Sequence, residues 1–202
     1  MIGITKPTGT LFIKKVPAPV APLSWRVKNA LKWAYIKGWL ATFIAAPIAR
    51  TFGIATVLGK LEARHVSKDG KVTDYGVLGY RVVTTAFVNF VVDQLQTETS
   101  VFGDFKYHDG GVGVTAEAIT DTAIETTDGE ARATGTQTES AANAYRSVGT
   151  ISYTSTKAVT EHGLFNDATT GTLMDRTVFS AINVANGDSI QFTYTLTVSA
   201  GG

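Results

Sequence analysis

Near the C-terminal end, the sequence reads Ile190-Gln191-Phe192-Thr193-Tyr194-Thr195-Leu196-Thr197-Val198. Apolar and polar residues alternate throughout this run, and they are residue types that strands prefer. The period of two predicts a β-strand with one apolar face and one face of Gln and Thr. The run contains no Pro, Gly or charged residue, which predicts a position inside its sheet rather than at an edge.

The segments before this strand predict more β-structure. Asn186-Gly187-Asp188 is a turn signal, and the strand-like run 173–184 precedes it, so we expect a β-hairpin over 173–198. Upstream, short Thr-rich runs separated by Gly, Asn and Asp predict strands at 105–107, 120–125, 131–138, 147–156 and 158–165. Many short strands with turns between them are typical of an antiparallel sandwich or jelly-roll-like domain.

Residues 61–100 predict a hairpin followed by a helix. The hairpin joins 61–66 to 72–83 through Lys68-Asp69-Gly70. Thr84 or Thr85 is placed to cap a helix over 86–96. We therefore predict a mainly β (α+β) protein: a β-rich domain over 61–202 with one helix near 85–96, preceded by a helical, Pro-rich N-terminal extension over 1–60.

That extension divides into an arm and a helix. The four Pro residues in the first 22 positions favour an extended conformation over 1–24, where Leu11, Phe12 and Ile13 are apolar. This arm is either an unstructured terminus or a segment that orders against a neighbouring subunit. From Trp25 to about Leu61 the pattern is helical, and we expect Pro47 to end or kink the helix near Ala45.

All three tryptophans, Trp25, Trp33 and Trp39, lie in the helical part among Lys and Arg. A basic, Trp-rich amphipathic helix can pack against protein, lie on a membrane surface or contact nucleic acid. The uncharged run 38–49 is shorter than the about 20 residues that cross a bilayer. We favour a protein contact over membrane or nucleic acid. The candidate partner-binding residues are Leu11, Phe12, Ile13, Trp25, Trp33 and Trp39.

Charge is unevenly distributed along the 202 residues. The formal net charge is +1, but residues 1–100 carry 13 Lys and Arg against 5 Asp and Glu, whereas residues 101–202 carry 5 against 12. A basic front and an acidic back indicate either two different environments or a head-to-tail contact, and we expect a homo-oligomer. The chain has no Cys, which excludes disulfides, thiolate metal sites and Cys nucleophiles.

The sequence predicts no catalytic residue, cofactor or metal site. His65, His108 and His162 are far apart in sequence and form no HExxH motif. His108-Asp109 and Glu161-His162 are adjacent pairs, which point to opposite faces of a strand. We expect His162 to cap or bond a turn before Gly163. We also expect 110–113 to form a tight or bulged turn, and Asp104, Asp109, Asp121 and Asp128 to lie in solvated turns.

Several segments resemble segments common in structural proteins of tailed bacteriophages. They include Thr160-Glu161-His162-Gly163-Leu164-Phe165 and the runs 105–118, 121–123, 132–137, 171–179 and 183–196. The resemblance spans about residues 81–202 and leaves out the basic front. It implies a virion protein, not an enzyme, whose partners are the major capsid protein or other virion proteins.

From the resemblance and the arm together we expect a decoration or cement protein on the outer capsid surface. A neck or fibre-like tail component is the alternative, and a glycan-directed enzyme is a weaker one.

Overall fold

The computed structural model describes residues 18–81, 83–95 and 104–201. Its helical elements are α1 (Leu23–Ala30), α2 (Trp33–Leu40), a π-helical turn (Ala41–Ala45), α3 (Ala46–Thr51) and α4 (Thr85–Gln94). Its strands are β1 (Thr56–Val66), β2 (Val72–Arg81), β3 (Tyr107–Gly111), β4 (Ala133–Thr134), β5 (Thr136–Ala141), β6 (Ala144–Ser152), β7 (Lys157–Phe165), β8 (Leu173–Val184) and β9 (Ser189–Ser199).

The strands form two antiparallel sheets. One has the order β2-β1-β9-β6-β5 and the other the order β4-β3-β7-β8. Both contribute to one apolar core, for example Leu61 of β1, Phe192 of β9 and Phe179 of β8. The predicted mainly β, sandwich-like α+β fold is confirmed.

Strand β9 lies at the centre of the larger sheet, as its sequence predicts. It pairs with β1 on one side and β6 on the other. Ile190, Phe192, Tyr194 and Leu196 are buried, as expected for the apolar face, but Val198 is 48% exposed. The alternation therefore ends in the core at Leu196 and reaches the surface at Val198.

The predicted hairpin over 173–198 is wrong. Strand β8 pairs with β7 in the smaller sheet, while both edges of β9 are taken by β1 and β6. The turn at Gly187, whose φ is 91°, carries the chain from one sheet to the other. Asp188 fixes this turn by accepting hydrogen bonds from the Ala185 and Lys68 N–H groups, at 2.9 Å each.

The β1–β2 hairpin is confirmed, but β1 begins at Thr56, inside the range expected to be helical. Helix α3 ends at Thr51, and Thr56 already pairs with Ser199. Strand pairing thus overrides the helical pattern of the last residues before Leu61. A π-helical turn ends at Ala45, and α3 begins at Ala46 with Pro47 in its first turn, where the missing N–H group costs least.

Helix α4 confirms the predicted helix and its cap. The Thr84 hydroxyl accepts the Phe87 N–H and donates to the Leu173 carbonyl. The cap therefore satisfies the first turn and ties α4 to β8. Phe87 is buried, and its ring meets Phe105 edge to face.

The region between β3 and β4 differs most from expectation. Residues 120–125 form no strand, and Gly110 and Gly111 lie within β3 rather than in a turn. A side chain at Gly110 would collide with the Asp128 carboxylate, and one at Gly111 with Glu161 and the Thr126 carbonyl. The glycines let the irregular segment 112–132 lie closely over β3 and β7. The predicted strand at 131–138 is divided into β4 and β5 around Gly135.

Candidate interaction surface

The structure separates the six candidate partner-binding residues. Leu11, Phe12 and Ile13 lie outside the described residues. Trp25 is half-buried, whereas Trp33 and Trp39 are exposed by 67% and 44%. Trp25 therefore packs within the chain, whereas Trp33 and Trp39 face solvent.

Trp25 is engaged within the chain. Its indole Nε1–H lies 3.1 Å from the Ser180 carbonyl and 2.9 Å from that of Ala181, and its ring meets Tyr75 edge to face at 4.7 Å between centroids. Helix α1 therefore packs against β8, the edge strand of the smaller sheet.

Asn29 in α1 and Lys32, just after the end of α1, add to this contact. Asn29 accepts the Ser180 N–H and donates to the Leu78 carbonyl, both at 2.8 Å, and the Lys32 ammonium donates to the Phe179 carbonyl at 2.8 Å. Asn29 thereby joins the edges of both sheets. These contacts satisfy backbone groups of β8 that would otherwise pair with another chain.

The next helical segment exposes a row of large apolar residues. They are Trp33, Leu40, Ile44, Ile48 and Phe52, spaced seven, four, four and four positions apart. Such spacing places side chains on one side of a helix. We call these residues the apolar helical face. Sequence reasoning chose Trp33 but missed the other four, although their spacing was available in the sequence.

The apolar helical face is surrounded by positive charge. Arg26, Lys28 and Lys37 are exposed on α1 and α2, Arg50 is half-buried on α3, and no acidic residue occurs before Glu62. Beyond Phe52 the apolar surface continues through exposed Ile54 to Val57, which is paired with Val198 across β1 and β9.

The opposite side of the same helices is fixed to the larger sheet. The Phe43 ring meets Tyr80 at 5.1 Å, and Tyr35 meets Tyr80 at 5.9 Å. Gly38 lies so close to the Tyr80 backbone that a Cβ would overlap its carbonyl oxygen. The apolar helical face thus lies on the side of these helices that does not contact Tyr80.

A buried polar cluster joins the two sheets. His108 of β3 and His162 of β7 lie 2.9 Å apart between Nδ1 and Nε2, and His108 Nε2 lies 2.8 Å from the Ser147 hydroxyl of β6. All three side chains are buried, and burial lowers the pKa of His108 to about 3. The prediction that His162 caps a turn is wrong, because it faces the core and stacks near Phe192.

Arg176 organises a second cluster beneath the segment 112–132. It contacts Glu161 at 2.7 Å, Asp121 at 3.0 Å and Glu125 at 3.2 Å. Burial disfavours its charge, but the bonds to Glu161 and Asp121 outweigh burial and raise the pKa of Arg176. Glu161 also accepts the N–H groups of residues 113, 125 and 126, so the cluster anchors the segment.

A third group lies beside the second. Asp109 pairs with Arg132 at 2.9 Å, and the Arg132 guanidinium lies 3.5 Å from the Phe165 ring centroid. Burial raises the pKa of Asp109, and Arg132 partly opposes this shift. Asp128 is also buried, so the solvated turns predicted for Asp109 and Asp128 are wrong; Asp121 is half-buried against Arg176.

These clusters do not form a metal centre in the part of the chain that the structure describes. Over 18–81, 83–95 and 104–201, no three His, Asp or Glu side chains are grouped as a metal would require. Within those same ranges, no helix combines the length and the apolar character needed to cross a membrane.

Comparison of the chain with protein-family models, curated proteins and solved structures finds no match.

Proposed function

We propose that this chain is a structural protein of a tailed-phage particle, bound as a repeated decoration to the outside of the head. The observation that carries the proposal is the apolar helical face with its basic surroundings. The resemblance of residues 81–202 to tailed-phage structural proteins supports the assignment to a phage particle. The apolar helical face supplies the contact with the coat.

Burial of the apolar helical face provides the driving force for docking. Contiguous apolar patches larger than a few hundred Å² are uncommon on soluble monomers and mark interaction sites. Trp33 and Phe52 are 67% and 76% exposed, and aromatic side chains of this size bury a large apolar area at interfaces.

The surrounding charge indicates the chemistry of the partner. A surface with Arg26, Lys28 and Lys37, and without carboxylates on its helices, fits an acidic protein surface. Charge complementarity of this type accelerates association and depends on ionic strength, while apolar burial sets most of the lifetime. We expect salt to slow binding more than it hastens dissociation.

The buried polar clusters support a structural role rather than glycan cleavage. The Glu161 carboxylate, which is fully buried, is engaged by Arg176 and by three backbone N–H groups, and Asp109 is engaged by Arg132. The weaker alternative of a glycan-directed enzyme needs two carboxyl groups facing a sugar across a cleft. These two are occupied in holding the sandwich and its covering segment.

Copy number tests the proposal against the neck or tail alternative. In quantitative mass spectrometry of purified particles, a head decoration is expected in on the order of hundreds of copies and a neck or tail ring in about a dozen, because closed rings hold few subunits. A dozen copies would leave the tail alternative standing. Absence from the particles would overturn both.

Matched variants test the apolar helical face. Ile44→Asp should abolish incorporation into particles while thermal unfolding stays unchanged. Val88→Asp is the control, since Val88 is similarly exposed but lies on α4. Equal incorporation of both variants would show that the apolar helical face does not dock.

A further inference from the structure

We infer that Leu11, Phe12 and Ile13 of one copy bind a groove on a neighbouring copy, so that adjacent copies exchange N-terminal arms. The groove has a volume of about 590 Å³ and lies between α1 and β2. Its main apolar lining is Val20, Leu23, Trp25, Val27, Tyr35 and Tyr75, which we call the arm groove. The inference extends the proposed function, because it supplies the contact between copies that a cement protein needs.

The arm groove suits an apolar peptide. Trp25 and Tyr75, locked edge to face, form one wall, and the exposed side chains of Leu23 and Val27 lie at its rim. Its volume is comparable to the about 300–1,000 Å³ of ligand sites, but the groove is open along one side, as a site for an extended peptide must be. Asp74 and Arg26 lie on it with opposite charges, so the lining has no excess of either charge.

The N-terminal arm of the same chain supplies an occupant for the arm groove. Residues 1–17 precede Ala18, and Val20, only two residues further on, already lines the arm groove. Every copy therefore carries three consecutive apolar residues, Leu11 to Ile13, only seven positions before Val20 in the sequence. If copies lie side by side on a particle, their high local concentration favours contact between an arm and the groove of a neighbouring copy, provided that the arm spans the distance.

The direction of the chain favours exchange between copies over folding back. Pro19 and Ala21 bond to Asp74 on the edge of β2, and this pairing is parallel. The groove is lined by Asp74 to Val77, so the parallel pairing places Ala18 and Pro19 on the Thr73 side, at the end of the groove that lies away from Val77. Folding back would require a reversal between Ile13 and Val20, where Pro17 and Pro19 favour a stiff, extended backbone.

Cysteine cross-linking can test the exchange directly, since the chain contains no Cys. Ile13→Cys in one full-length copy is mixed with Leu23→Cys in a copy of different mass and oxidised. We expect a disulfide-linked heterodimer. The matched control replaces Leu23→Cys by Val88→Cys, which is exposed on α4 outside the groove, and should give at least tenfold less heterodimer.

The double variant Ile13→Cys/Leu23→Cys distinguishes exchange from folding back. Exchange predicts linked dimers or longer chains at concentrations where the protein self-associates. A monomeric internal disulfide, at every concentration, would overturn the inference in favour of the chain's own arm. Equal cross-linking to Leu23→Cys and Val88→Cys would overturn it as well.

Analytical sedimentation measures self-association without any disulfide cross-link. Phe12→Asp and Val27→Asp should each weaken self-association by at least tenfold, while Val88→Asp should not. If Phe12→Asp and Val27→Asp self-associate as strongly as the unchanged protein, and incorporation into particles is normal, arm exchange is refuted and the proposed function is not. Intact exchange with no binding to particles would refute the proposed function alone.

Discussion

His108 and His162 lie 54 residues apart in sequence, yet their ring nitrogens Nδ1 and Nε2 are 2.9 Å apart in the core. The other nitrogen of His108 reaches the Ser147 hydroxyl of β6, so the contact crosses from the smaller sheet to the larger one. A side chain at Gly149 would collide with the His108 ring. The small residue on β6 thus makes room for an imidazole between the sheets.

This arrangement predicts an acid-sensitive fold. The unfolded chain protonates His108 as the pH falls through about 6.5, whereas burial keeps its folded-state pKa at about 3. The unfolded state therefore binds more protons in this window, and folded stability falls as pH falls. We expect a loss of about 2 kcal/mol between pH 7.5 and 5.0 from this residue.

Urea unfolding at several pH values measures the effect. Above pH 5 the carboxylates with ordinary pKa values are mostly ionised, and Asp109, whose pKa is raised by burial, is present in every variant that is compared. His108→Gln should make the free energy of unfolding depend less on pH. His65→Gln removes the partner of Asp188 but leaves His108 in place, so it should keep the pH dependence that His108 causes. An unchanged slope in His108→Gln would contradict this prediction.

The central strand predicts a large difference between adjacent positions. Phe192 is fully buried between the sheets, and its neighbour Thr193 is partly exposed on the outer face. Phe192→Ala should lower the free energy of unfolding by about 3–5 kcal/mol, and Thr193→Ala by less than about 0.5 kcal/mol. Chemical denaturation of both variants measures these changes. Equal losses of unfolding free energy in the two variants would show that the buried face of β9 is wrongly assigned.

Replacement of Arg176 should lower the stability of the whole protein and also loosen the segment 112–132. Arg176→Met leaves Glu161 charged and buried without its cation, which should cost about 3–5 kcal/mol. Hydrogen exchange should accelerate over residues 112–132, because that segment is anchored through Glu161. Adding Glu161→Gln should recover part of the stability by removing the unpaired charge. Slow exchange in Arg176→Met would mean that the segment is held by other contacts.

Two tryptophans that look alike in sequence should behave differently. Trp25→Phe loses the hydrogen bonds to the Ser180 and Ala181 carbonyls and should cost about 1–3 kcal/mol in thermal or chemical unfolding. Trp33→Ser removes an exposed ring and should change stability by less than about 0.5 kcal/mol. Under the proposed function, only Trp33→Ser weakens incorporation without loss of stability.

Local pattern was sufficient to predict several elements from the sequence. The alternation over 190–198 predicts β9 and its buried face, and Lys68-Asp69-Gly70 predicts the turn between β1 and β2. Thr84 predicts the start of α4, because a hydroxyl there can satisfy an N–H of the first turn. These features depend on a few neighbouring residues and on the fixed periods of strand and helix.

The apolar helical face was only partly accessible from sequence. Its spacing is helical, but spacing alone does not reveal which side of a helix the sheet covers. That side was decided by Gly38, which allows close approach to Tyr80, and by the placement of Phe43 against the same residue. The remaining side, with Ile44 and Ile48, was left to solvent.

Pairing and long-range contact were decided only in the tertiary structure. Strands β8 and β9 are adjacent in sequence but lie in different sheets, because β1 and β6 occupy both edges of β9. The same three-dimensional arrangement brings His108 to His162 and directs Trp25 to the edge of β8. Local periodicity specifies which face of a strand or helix is apolar, whereas the competition among all strands for edges and burial decides what that face meets.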